Sequence, residues 1–143
     1  MAAVLAAAGG QELRADREGF IGSAACGGCH EREYAVWLTT PHARAYESLA
    51  DSSRQASCRA CHTTGDAPAG PAYFRGVGCE SCHGAGAAYA PADIMQSRQL
   101  ARALGLVDLS TPAARGAVCD SCHVASTRMS PFAAETAWKR IAH

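Results

Sequence analysis

Residues 76–86 read GVGCESCHGAG. At the centre of this stretch Cys79 and Cys82 stand two residues apart, and His83 follows directly. The same pattern occurs three more times, as Cys26-Gly-Gly-Cys29-His30, Cys58-Arg-Ala-Cys61-His62 and Cys119-Asp-Ser-Cys122-His123. All eight cysteines and four of the six histidines are used in this way. The intervals between the repeats are unequal, so the repeat is a local hook reused along the chain and not a solenoid of fixed period.

Two thiols at fixed separation, followed by a histidine able to swing beneath an iron, supply what c-type haem attachment requires. Zinc is the rival, because Cys58, Cys61, Cys79 and Cys82 have the spacing of a zinc ribbon. Zinc ribbons, however, have no need of a histidine after each second cysteine. A disulfide framework gives no reason for four paired cysteines, and no βαβ pattern surrounds any pair as a thioredoxin-type dithiol would need. The hooks therefore predict four covalently bound haem c groups. Cys26, Cys29, Cys58, Cys61, Cys79, Cys82, Cys119 and Cys122 would form the thioether links, with His30, His62, His83 and His123 as proximal ligands.

The rest of the composition agrees. The chain has 143 residues, no formal net charge and only 6% aromatic residues, and many of its apolar residues are alanine. Such a chain has few large side chains for a core, so porphyrins would fill the interior. The expected fold class is mainly α with extensive coil, short helices and loops wrapped around four closely packed haems. Helices are predicted over Glu31 to Leu38, from Pro41 to about Ala50, and from Ala92 to Leu104 with Gly105 as the stop; a last one would be opened by Ser130 and Pro131. Thr63 to Gly78 reads as a loop. The neutral charge implies no nucleic-acid partner, and no stretch approaches the ~20 apolar residues of a membrane span. Residues 1–20 read as a signal-peptide remnant, with Ala6-x-Ala8 as a cleavage site, or as a flexible N-terminus; residues 21–143 read as one tetrahaem domain. A periplasmic or otherwise extracytoplasmic location follows.

Four irons need four further ligands for six-coordination, and only His42 and His143 remain as histidines. His42 shares a helical stripe with Ala45, Tyr46 and Leu49. Methionine is the next option, since Met/His ligation occurs in c-type cytochromes and raises the potential. Met95 is the first candidate and Met129 a weaker one; Tyr89 is a weaker oxygen donor still. Some arginines can pair with haem propionates, whose carboxylates match the guanidinium fork.

The stretches CGGCHEREYAVWLTTPHARAYESL, CRACHTTG and GVGCESCHGAG resemble the tetrahaem cytochrome c-554 family. The resemblance implies helix and coil around closely stacked haem pairs. It implies that His42 is a distal ligand reached from afar, to the third haem, and that His143 serves the fourth. It leaves the second haem, at Cys58, Cys61 and His62, five-coordinate. The family places a distal histidine for the first haem after the GVGCESCHG segment; the matching AAYAPADIMQSRQL has none, which makes Met95 the substitute.

These features predict an electron carrier rather than an enzyme, either a periplasmic shuttle between redox proteins or a subunit of a larger electron-transfer assembly. Two alternatives stay open. One is reduction or oxidation of a nitrogen oxide or hydroxylamine at a five-coordinate haem; the other is a haem filament in which neighbouring chains supply missing ligands.

Overall fold

The structure, a computed structural model, describes residues 19–50, 56–65, 75–124 and 132–143. Met129, the Ser130–Pro131 cap and the middle of the 63–78 loop lie outside the described residues, as do positions 1–18. Within the described residues all regular structure is helical and short: α1 (Ser23–Gly27), α2 (Glu31–Leu38), a 3₁₀ turn (Pro41–Arg44), α3 (Ala56–His62), α4 (Cys79–His83), α5 (Ala92–Met95), α6 (Arg98–Ala103), α7 (Pro112–His123) and α8 (Ala134–Trp138). The mainly helical, coil-rich class is as predicted.

Each hook is a turn of helix. In a helix, residues three and four apart share a face, so both sulfurs and the histidine of a hook project together. α4 is the third hook itself, α3 contains the second, and α7 ends on the fourth. The first spans the end of α1, where Cys29 and His30 N–H groups both donate to the Cys26 carbonyl, at 3.1 and 2.9 Å.

α2 has the predicted bounds, and the next helix does not. Thr40 does not cap it; its hydroxyl donates to the Trp37 carbonyl at 2.7 Å. The His42 carbonyl accepts from Ala45 N–H at 3.2 Å and from Val77 N–H at 2.9 Å, where an α-helix would use the amide of Tyr46. The predicted helix therefore closes as one 3₁₀ turn, followed by non-helical turns. The helix expected over Ala92 to Leu104 is broken between α5 and α6. Ser97 breaks it by capping α6, its Oγ accepting from Leu100 N–H at 3.3 Å. This is the competition between a serine side chain and the helix backbone that makes serine a cap.

Residues 76–77 form a strap across the 3₁₀ turn. Gly76 has φ +138°, and a Cβ built there would meet the Ala43 carbonyl oxygen at 2.7 Å and that of His42 at 3.0 Å. Trp37 Nε1–H donates to the Val77 carbonyl at 2.9 Å, which ties α2 to the same strap. A second tie holds α4. Gly84, at φ +82°, passes so close to Gly105 that a Cβ would lie 2.6 Å from its carbonyl oxygen. Val107 N–H donates to the His83 carbonyl at 2.9 Å. Tyr89 Oη lies 3.1 and 2.7 Å from the His83 and Gly84 carbonyls and donates to them. Tyr89 is thus occupied with the backbone. Tyr89→Phe is expected to lower stability by about 1 kcal/mol in thermal unfolding and to leave visible-light spectra unchanged.

At the C-terminal side, Arg115 of α7 grips Glu135 of α8 with two parallel hydrogen bonds, Nε to Oε1 at 3.0 Å and Nη2 to Oε2 at 2.9 Å. Its guanidinium also lies 5.2 Å from the Trp138 ring centroid. The stacked α7 and α8 carry His123 and the approach to His143.

What the described residues lack is an apolar core. Their buried hydrophobic residues are Tyr89, Ala101 and Leu109, and none of their large side chains is fully enclosed. Protein interiors are otherwise packed as densely as organic crystals. Among the described residues, cavities of ≈ 580 and ≈ 340 Å³ lie between the hooks instead.

Candidate cofactor site

The larger cavity is walled by Cys26 and His30 of the first hook and by Cys79, Cys82 and His83 of the third. His42, Met95 and His143 line it as well. The smaller cavity joins the second hook, through Cys61, to the fourth, through Cys122. The sulfurs group in the same way: Cys26 is hydrogen-bonded to Cys79, and Cys61 to Cys122. The hooks thus meet as first with third and second with fourth.

This grouping removes the zinc reading. A ribbon would need Cys58, Cys61, Cys79 and Cys82 to converge, and among the described residues no three or more His, Cys, Asp or Glu side chains are arranged to hold one ion. All eight cysteines are free. The hydrogen bond from Cys26 pulls the Cys79 thiol down to about 6, while the same contact and burial raise Cys26. Burial pushes Cys82 up to about 11.

Three histidines are fixed in one tautomer. His62 Nδ1 lies 2.7 Å from the Ala45 carbonyl, His83 Nδ1 3.2 Å from that of Val107, and His143 Nδ1 3.0 Å from that of Ile141. A carbonyl only accepts, so each Nδ1 carries the hydrogen and each Nε2 keeps a lone pair. A backbone partner on the second ring nitrogen is the usual way to orient a metal-binding histidine. Burial lowers the pKa of His42, His83 and His123, which favours the neutral imidazole that ligates metals. His123 Nδ1 is itself buried with no hydrogen-bond partner among the described residues; its ring stacks on Phe132 at 4.0 Å.

The rings also meet in pairs. The His42 and His123 centroids are 6.1 Å apart, and those of His83 and His143 are 6.2 Å apart. Imidazole nitrogens bind metals at about 2.0 Å, so two rings on opposite sides of one ion have centroids roughly 6 Å apart. Hooks, cavities, tautomers and ring spacing therefore fit a haem-type group. The pairing is the reverse of the one the family resemblance implied: His42 approaches the fourth hook and His143 the third. Met95 closes α5 in the wall that also holds Cys26 and His30. His62 has no second ring beside it among the described residues. Arg98 lines the larger cavity, whereas Arg115 is committed to Glu135.

Sequence reasoning missed Glu80. It is 3% exposed, and its carboxylate accepts three backbone N–H bonds, from Ile21 at 2.9 Å and from Gly22 and Gly86 at 2.7 Å each. The glycines around the third hook were a signal, since backbone amides reach a buried carboxylate most easily where no side chain intervenes.

Helices built as attachment turns, with His83 and His143 paired in the wall of the larger cavity, have the layout of a multihaem c-type cytochrome. Comparison with known proteins agrees. The family model described as "Cytochrome c554 and c-prime" matches residues 25–84, which hold the first three hooks. Cytochrome c-554 of Nitrosomonas europaea is 33% identical over an alignment that covers 59% of this chain and 46% of that protein. The chain thus spans about half the length of that curated relative. The solved structure of the reduced state of cytochrome c554 from the same organism superposes with a TM-score of 0.62 at 24% identity, covering 87% of this chain and 78% of that one. That likeness concerns the fold. Over these stretches the chain resembles c-554-type multihaem cytochromes.

Proposed function

We propose that the chain holds four covalently attached haem c groups, one on each hook, and passes electrons between redox proteins outside the cytoplasm, most simply in the periplasm. The observation that carries this reading is the pair of histidine couples with ring centroids 6.1 and 6.2 Å apart, the second of them in the wall of the larger cavity. His30, His62, His83 and His123 would be the proximal ligands, with His42 opposite His123, His143 opposite His83, and Met95 opposite His30. A haem bound in this way supplies one-electron transfer without making or breaking a substrate bond. The work of the chain is positioning: carbonyls orient His62, His83 and His143. Arg98 offers a guanidinium to the acidic edge of a bound porphyrin.

His62 lacks a second ligand in this scheme, which leaves one coordination position for a small molecule. General acid–base chemistry there would need a group free to move a proton. The carboxylate in the adjoining wall, Glu80, already accepts from three backbone amides. We therefore favour a carrier over a reductase.

Mass and absorption of the purified holoprotein test the reading together. Four attached haems are expected, with one ferrous centre binding carbon monoxide and three inert. Fewer than four attached haems, or several reactive centres, would overturn it. A high-spin signal that disappears as protein concentration rises would assign the missing ligand to a neighbouring chain. Met95→Leu is expected to add a second carbon monoxide-binding centre and to lower one midpoint potential, because thioether ligation raises potential. Unchanged spectra and potentials would remove Met95 from the ligand set.

A further inference from the structure

Glu80 is the one buried acidic residue among the described residues. It is the second residue of the third hook, and its partners tie distant parts of the chain together: Ile21 and Gly22 at the entry to α1, which leads to the first hook, and Gly86 beyond the third. The same side chain forms part of the cavity wall shared with Cys61 and Cys122. The carboxylate thus lies where the two couples of hooks approach each other. Three amides at 2.7–2.9 Å fix its position and leave water little access.

All three partners donate, and an ionised carboxylate, which only accepts, satisfies them together. A buried charge costs several kcal/mol to desolvate. Its position among redox centres gives the charge a use. A fixed negative charge raises the energy of any further electron placed near it, and salt screens it poorly because it is buried.

We propose that Glu80 is an electrostatic positioning residue that lowers the reduction potential of the centres on the first and third hooks, so that electrons pass through them rather than rest there. The proposal presupposes the haem attachment described above. At a separation of roughly 10 Å and an effective dielectric constant near 20, one unit charge changes a one-electron equilibrium by about tenfold.

The test is a potentiometric titration of holoprotein, wild type against Glu80→Gln and Glu80→Asp. Glu80→Gln is expected to raise at least one midpoint by about tenfold in the reduction equilibrium, which is ~59 mV for one electron. The difference should persist at high ionic strength. Glu80→Asp keeps the charge while shortening the clamp; it is expected to lower thermal stability and to leave midpoints near wild type. Equal shifts in both variants, or no shift in Glu80→Gln, would overturn the proposal. Should Glu80→Gln fail to load haem, redox-difference infrared spectroscopy of the wild type with ¹³C-labelled glutamate decides the matter. A deuterium-resistant carboxylate band that moves on reduction supports the role, and its absence overturns it. If wild-type protein carries no haem, the attachment reading fails instead, which the mass measurement shows separately.

Discussion

His42→Ala is expected to convert one six-coordinate iron to a high-spin centre that binds carbon monoxide, and that centre should be the one on the fourth hook. The ring is half-buried and stands 6.1 Å from His123. Losing an axial imidazole also lowers stability, because truncating a large buried side chain to alanine costs ~2–5 kcal/mol through lost contacts and cavity formation. His143→Ala is the matching experiment. It should give a high-spin centre of the same kind on the third hook, since its ring lies 6.2 Å from His83. Counting high-spin signals by electron paramagnetic resonance, with selective loss of each hook's proximal histidine to assign them, checks both. If His42→Ala and His143→Ala perturb the same centre, or exchange centres, the crosswise pairing is wrong.

Gly76→Ala is expected to be strongly damaging for a change of a single methyl group. The backbone there sits at φ +138°, and the added Cβ meets two carbonyl oxygens, at 2.7 and 3.0 Å, which belong to main chain and have no rotamer to escape into. Strained backbone costs about 1–3 kcal/mol and overpacking a similar amount, so a loss of roughly 3 kcal/mol or more is expected in thermal unfolding of the loaded protein. The strap would lift from the 3₁₀ turn, so the variant should also show the spectral change of His42→Ala. Gly116→Ala supplies the contrast. It lies inside α7 with nothing within 4 Å of an added methyl, and is expected to be neutral or stabilising by up to ~1 kcal/mol. If both glycine variants melt together with wild type, the strap does not set the position of His42.

The parts of this molecule that were legible in its sequence are those determined within a few residues. A hook is complete in five residues, so its chemistry needs no knowledge of the fold. The same holds for α2, whose Tyr34 and Trp37 stack one turn apart with centroids at 5.5 Å. The scarcity of large apolar residues agrees with the few buried hydrophobic side chains among the described residues and the cavities between the hooks. Boundaries failed where a distant or competing partner intervened. The helix begun at Pro41 ends early because Val77 takes the His42 carbonyl, and the one begun at Ala92 breaks because Ser97 caps its second half. Which histidine faces which hook was likewise beyond local reading. It depends on where residues 76–77 and 105–107 cross other segments, and spacing along the chain has no information about that. Glu80 went unremarked because its three amide partners come from both sides of the hook, two of them nearly sixty residues away.

The two ring pairs have a further consequence for how the chain can be divided. In chain order His42, His83, His123 and His143 alternate between the pairs, so the pairs interlock instead of nesting. Any cut between α4 and α7 separates both at once, and each resulting piece keeps one ring from each. Neither piece is a smaller version of the whole, and neither holds a closed couple of rings. The repeated hooks suggest a modular cytochrome that could be trimmed or extended one unit at a time; the crossing of the rings makes it indivisible.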